Sequence, residues 1–131
     1  MKKILCALLI CVSLTIFAKP SVAGTCEGGS EFQGVLNGHT YCVSEAVMTW
    51  WAAFAWCKKQ DRKLASMNQL CPGWAGATGD GVCPNMTGGD QYVVGWSSNP
   101  SGASAAFFVN LSIGHVSNVH YRSINYRAIC Y

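Results

Sequence analysis

Tyr41-Cys42-Val43-Ser44-Glu45-Ala46-Val47-Met48-Thr49-Trp50-Trp51-Ala52-Ala53-Phe54-Ala55-Trp56-Cys57-Lys58-Lys59 is the stretch on which the reading of this chain turns. Tyr41 to Val47 alternates well enough for a strand, whose successive side chains take opposite faces. Thr49 is a good helix N-cap, because its hydroxyl can accept from an N–H of the first turn that has no partner inside the helix. The helix it caps begins at Trp50, is apolar as far as Cys57, and carries Trp50, Ala53, Phe54 and Cys57 on one face. That face reads as core rather than as a binding stripe. Lys58-Lys59-Gln60-Asp61-Arg62-Lys63 follows, and its basic residues suit the negative end of a helix dipole. This cluster reads as the solvated end of the helix, with Leu64-Ala65-Ser66-Met67 extending from it.

On the amino-terminal side, Gly24 to Gly38 is polar and glycine-rich, and is expected to form a short hairpin or an extended lead-in. On the carboxy-terminal side, 68–89 holds six of the fourteen glycines. So long a connection inside a small domain needs its own staple or a function. A short second helix is expected near Asn68 to Leu70. Strands are expected at Tyr92 to Trp96, Ala105 to Leu111, His115 to Tyr121 and Asn125 to Tyr131. Ser97 to Ser104, with Asn99-Pro100 inside it, reads as a turn-rich loop, and Ser112-Ile113-Gly114 as a tight turn.

The first residues differ in kind. Met1-Lys2-Lys3 is basic, 4–17 is apolar except for Ser13 and Thr15, and Ser21-Val22-Ala23 has a small-x-small cleavage pattern. These three parts make a secretory signal peptide, 1–23, ahead of one domain, 24–131. As a membrane anchor the run is too short for a hydrocarbon core of ~30 Å, and Ile10 beside Cys11 argues against a lipoprotein. No membrane span is expected after the signal. Residues 24–131 carry six basic and six acidic side chains, so there is no electrostatic case for nucleic-acid binding. Six cysteines remain there: Cys26, Cys42, Cys57, Cys71, Cys83 and Cys130. They contain no C-x-x-C knuckle, which argues against zinc, and an even count behind a signal reads as three disulfides. Spacing alone leaves ~15 connectivities open. The expected location is an oxidising one, periplasmic or extracellular.

Several of these residues resemble the C-type lectin-like domain family. Tyr41-Cys42, Thr49-Trp50, Ala53, Cys57 and Leu64-Ala65-Ser66-Met67 resemble its opening strand and helix, with Trp-x-x-Ala-x-x-x-Cys followed by Leu-Ala. Val93-Val94-Gly95-Trp96 resembles its central strand, and Arg127-Ala128-Ile129-Cys130 its last. Trp96-Ser97-Ser98, Phe108-Val109-Asn110, Gly114-His115-Val116 and Arg127-x-x-Cys130 are similar to bacterial domains of the same broad fold. The resemblance implies an α+β C-type lectin-like fold: one main helix, a mainly antiparallel sheet, long loops and disulfide staples. It implies a Cys57–Cys130 bridge and, as in longer members, Cys26–Cys42. Cys71–Cys83 then follows by elimination and closes the glycine-rich connection.

Many members of that family bind sugars through calcium, using Glu-Pro-Asn or Gln-Pro-Asp and a later Trp-Asn-Asp. Both triplets are missing here: Ser98 precedes Asn99-Pro100, and no carboxylate side chain follows Asp90. Calcium needs six to eight oxygens, several from carboxylates, so no calcium-bridged site, metal or cofactor is expected. Asp80 and Asp90 read as solvated turn residues. No Gly-x-Ser-x-Gly elbow is present, and pairing of all six cysteines leaves no thiol nucleophile, so the chain is not expected to be an enzyme. The expected function is a calcium-independent binding module for a glycan or a protein surface, with a structural or protein-interaction component, such as an adhesin accessory or inhibitor without sugar binding, as the alternative and a small exported enzyme as the third and least favoured reading. The candidate ligand residues are Asn99, Asn118, His120, Tyr121 and Asn125, which offer amides and rings without net charge. Trp96 and Phe108 read as core.

Overall fold

The computed structural model describes residues 26–74 and 81–131. The expected signal peptide, 1–23, and Asp80 lie outside the described residues. The described chain is an α+β fold built on one seven-stranded sheet. Its elements are β1 (Gly29–Gln33), β2 (Thr40–Met48), α1 (Trp50–Lys59), α2 (Met67–Leu70), β3 (Gly81–Val82), β4 (Val94–Ser101), β5 (Ala105–Asn110), β6 (His115–Tyr121) and β7 (Tyr126–Cys130). Across the sheet they lie in the order β1-β2-β7-β4-β5-β6-β3. All pairs are antiparallel except β4 with β7.

The last strand thus enters the middle of the sheet, between β2 and β4. Gly95 makes the parallel contact close: a Cβ there would lie 2.8 Å from the Arg127 carbonyl and 2.7 Å from Ile129. The β2–β7 ladder shifts register between Val43 and Val47, and there the Ala128 N–H is met by a side chain. The buried Ser44 hydroxyl accepts from it and donates to the Ala46 carbonyl. A buried N–H left unpaired at such an irregularity is costly, and a serine answers it locally.

Strand alternation divides the core between the two faces of the sheet. Tyr41, Val43, Val109 and Ile129 pack with Met67 and Leu70 of α2 and with Met86 and Val93 from the long connection. Cys42, Phe108, Ala128 and Cys130 face the other way, against Trp50, Ala53 and Cys57 of α1. Thr49 caps α1 through its side chain, and Ser66 and Gln69 form a capping box on α2. Three disulfides brace the fold: Cys57–Cys130 ties α1 to the sheet, while Cys26–Cys42 and Cys71–Cys83 close shorter loops.

Two expectations need correction. Ser97 to Ser104 is not a loop throughout, because β4 continues to Ser101 across a register shift between Trp96 and Pro100. The shifted residues bond elsewhere: the Ser97 carbonyl accepts from the Trp50 indole, and the Ser98 N–H donates to Ala65. Proline, which has no N–H to give, suits such a place. Phe54, read as part of the core face, is instead exposed on the outer flank of α1.

Candidate functional site

The five candidate ligand residues do not form one surface. Asn99 is half-buried, and its Oδ1 accepts from the Met67 N–H at 2.8 Å, pinning the start of α2 to β4. His120 pairs in register with Ala106, so its ring lies on the α1 side of the sheet, against Phe108, with Nδ1 2.7 Å from the Tyr126 hydroxyl. Tyr121, opposite Ala105, takes the other face and is exposed. Asn118 is half-buried, and its Oδ1 is enclosed without a hydrogen-bond partner among the described residues. Asn125 is exposed in the turn between β6 and β7. Arg122, in the same turn, donates to the Ala105 and Gly102 carbonyls and lies 4.4 Å over the Trp50 ring. Its cation and its planar fork are both engaged in joining this end of the sheet to α1.

Two clefts lie around the end of α1, and both are lined by the basic cluster that the sequence reads as merely solvated. α1 closes in a Schellman turn: the Arg62 N–H reaches the Cys57 carbonyl, the Asp61 N–H reaches Lys58, and Asp61 adopts a positive φ of 55°. That turn sends Arg62 back across the molecule. There it donates to the Thr40 carbonyl and pairs with Glu31 at 3.0 Å, forming a wall common to both clefts.

The smaller cleft, about 480 Å³, is floored by His39 and Tyr131, whose rings stack at 3.6 Å. His39 Nε2 is enclosed and has no hydrogen-bond partner among the described residues. Burial lowers the His39 pKa, and the nearby Arg62 charge lowers it further. The fold therefore favours neutral His39. The stability this contributes is complete above the ordinary histidine pKa of 6.5 and is lost as the pH falls below it. Melting temperature is expected to fall on acidification below that value, and His39→Phe, which keeps the stacked ring, is expected to flatten that part of the profile. An unchanged profile would remove His39 as its source.

The larger groove, about 820 Å³, runs along the outer flank of α1 towards Ser98. Trp51, Phe54, Ala55 and Lys58 line it, at the three- and four-residue spacing that places side chains in one row. Trp51 is 55% exposed and Phe54 39%. Beyond them stand Arg62, Lys63 and Asp61, with Leu64 at the base. Its size lies within the ~300–1,000 Å³ typical of small-ligand sites. The apolar run from Trp50 carried the signal for this groove, because aromatic residues continue outside the core positions.

Among the described residues no three His, Cys, Asp or Glu side chains gather as metal ligands would. Asp90 is exposed. No described helix is long and apolar enough to cross a membrane. No protein-family model, curated protein or solved structure matches the chain.

Proposed function

We propose that this chain is an exported, calcium-independent binding module of C-type lectin-like type, without catalytic activity, which recognises a glycan or a protein surface. The observation that carries this reading is the groove on α1: two outward aromatic rings beside a row of basic side chains, on a helix held rigidly by its opposite face. Exposed large rings in a concave site supply contact area to a ligand at low entropic cost. The three disulfides support an oxidising location. The bridge from the first helix to the last strand supports the lectin-like resemblance.

A protein-interaction role without sugar binding is the second reading. Val119 and Tyr121, which stand exposed on β6 next to Asn118, favour it.

A glycan array probed with the oxidised protein, with and without a chelator, tests the first reading. Binding is expected to be insensitive to the chelator and to be lost in Trp51→Ala/Phe54→Ala. Asn118→Ala/Tyr121→Ala/Asn125→Ala tests the second surface. Loss of binding in that variant alone, with an unchanged melting temperature, moves the site to β6. A melting curve lowered by the chelator overturns calcium independence.

A further inference from the structure

We propose that the groove on α1 is selective for acidic saccharides: a sugar ring stacks on Trp51 and Phe54, and its carboxylate or sulfate is held by Lys58 and Lys63. This deepens the binding-module reading and rests on it.

The argument begins with the helix. Trp50, Ala53 and Cys57 are buried against the sheet, which leaves Trp51, Phe54, Ala55 and Lys58 along the outer flank. That row is aromatic at its start and cationic at its end. Phe54 is braced edge-on against Trp50 at 4.7 Å, and Trp51 meets Trp50 edge-on at 6.2 Å. The platform is therefore supported from beneath by a ring that is itself anchored by its indole N–H on the Ser97 carbonyl. A sugar ring with its axial C–H bonds over such faces gains apolar contact without losing its hydroxyls to a dry site.

The charges select the ligand. Three cations and one carboxylate line the groove: Lys58, Arg62, Lys63 and Asp61. Arg62 is already committed to Glu31 and to the Thr40 carbonyl. Lys58 and Lys63 form no ion pair among the described residues, so the groove keeps a net positive character after Asp61 is counted. A neutral sugar is usually read by amides and carboxylates that accept from its hydroxyls. Apart from Asp61, the polar side chains here are lysines, one arginine and Ser98, which suits a ligand that brings its own anion. An extended peptide finds little here to pair with. The α1 backbone is spent within the helix, and the Ser98 N–H is bonded to Ala65.

Calorimetric titration of the oxidised protein tests this with three probes: an oligogalacturonate, a heparin-derived sulfated oligosaccharide and neutral cellohexaose. The first two distinguish carboxylate from sulfate as the source of the charge. At least one acidic probe is expected to bind, more weakly as salt rises, while cellohexaose does not. Trp51→Ala and Lys58→Gln/Lys63→Gln are each expected to weaken that binding about tenfold or more without moving the melting temperature. Equal binding of cellohexaose, unaffected by Lys58→Gln/Lys63→Gln, overturns the acidic selectivity and leaves the binding module standing. Acidic binding that survives both groove variants and is lost in Asn118→Ala/Tyr121→Ala/Asn125→Ala overturns the groove. Absence of binding to all three probes and to the glycan array overturns the sugar reading together with this one.

Discussion

Cys57→Ala/Cys130→Ala is expected to cost about 4 kcal/mol of folding stability, the largest loss from any single bridge. The cysteines are 73 residues apart, and a loop of that length loses the most chain entropy on closure. Cys71 and Cys83 are only 12 apart, and Cys26 and Cys42 only 16, which corresponds to about 3 kcal/mol each in the same treatment. Position adds to length. Cys57 and Cys130 are both fully buried in the core between α1 and the sheet, so the alanines also leave space there. Against a net stability of ~5–15 kcal/mol, such a loss brings a domain of this size close to unfolding at ambient temperature. The expected fall in melting temperature is roughly 15–30 °C. Thermal melts of the three double-alanine variants check the order. A smaller loss for Cys57–Cys130 than for Cys71–Cys83 would mean that α1 is held mainly by its packing.

Trp96→Ala is expected to cost about 3–5 kcal/mol. Trp96 is completely buried, and its ring meets Tyr126 edge-on at 5.0 Å. Its indole N–H donates to the Met48 carbonyl at 3.0 Å, which joins the centre of the sheet to the end of β2. Truncation removes the ring and leaves that carbonyl without its partner. Trp96→Phe keeps most of the volume and is expected to cost clearly less. Denaturant midpoints at constant m-value separate the two. Because no part of Trp96 reaches the surface, the fraction that remains folded is expected to bind ligand as the parent does. Loss of affinity in folded Trp96→Phe would mean that the ring supports the ligand surface.

The strand alternation from Tyr41, the Thr49 cap and the abrupt change to a basic run were legible because each is a local effect, decided within a turn or two of backbone. Cysteine parity behind the expected signal likewise indicated three bridges, since covalent closure compensates for a small core. The α+β architecture follows from those local signals in their order along the chain.

Contacts distant in sequence decided the rest. Ala53 and Phe54 stand about 50° to either side of the line through Trp50 and Cys57, so periodicity treats them alike. The sheet takes the small residue and lets the helix approach closely, which turns Phe54 outward. Asn99 carries no local sign that its amide oxygen accepts from Met67, 32 residues earlier. Asn118, His120 and Tyr121 are neighbours in sequence, yet pairing with β5 puts His120 on one face of the sheet and Tyr121 on the other. Lys58, Lys63 and Ser98 become one groove only because β4 packs beside the end of α1. A sequence lays out the order of charge and apolar surface along the chain, but which side chains share a surface depends on strand register and helix contact. Those are set by burial summed over the whole molecule.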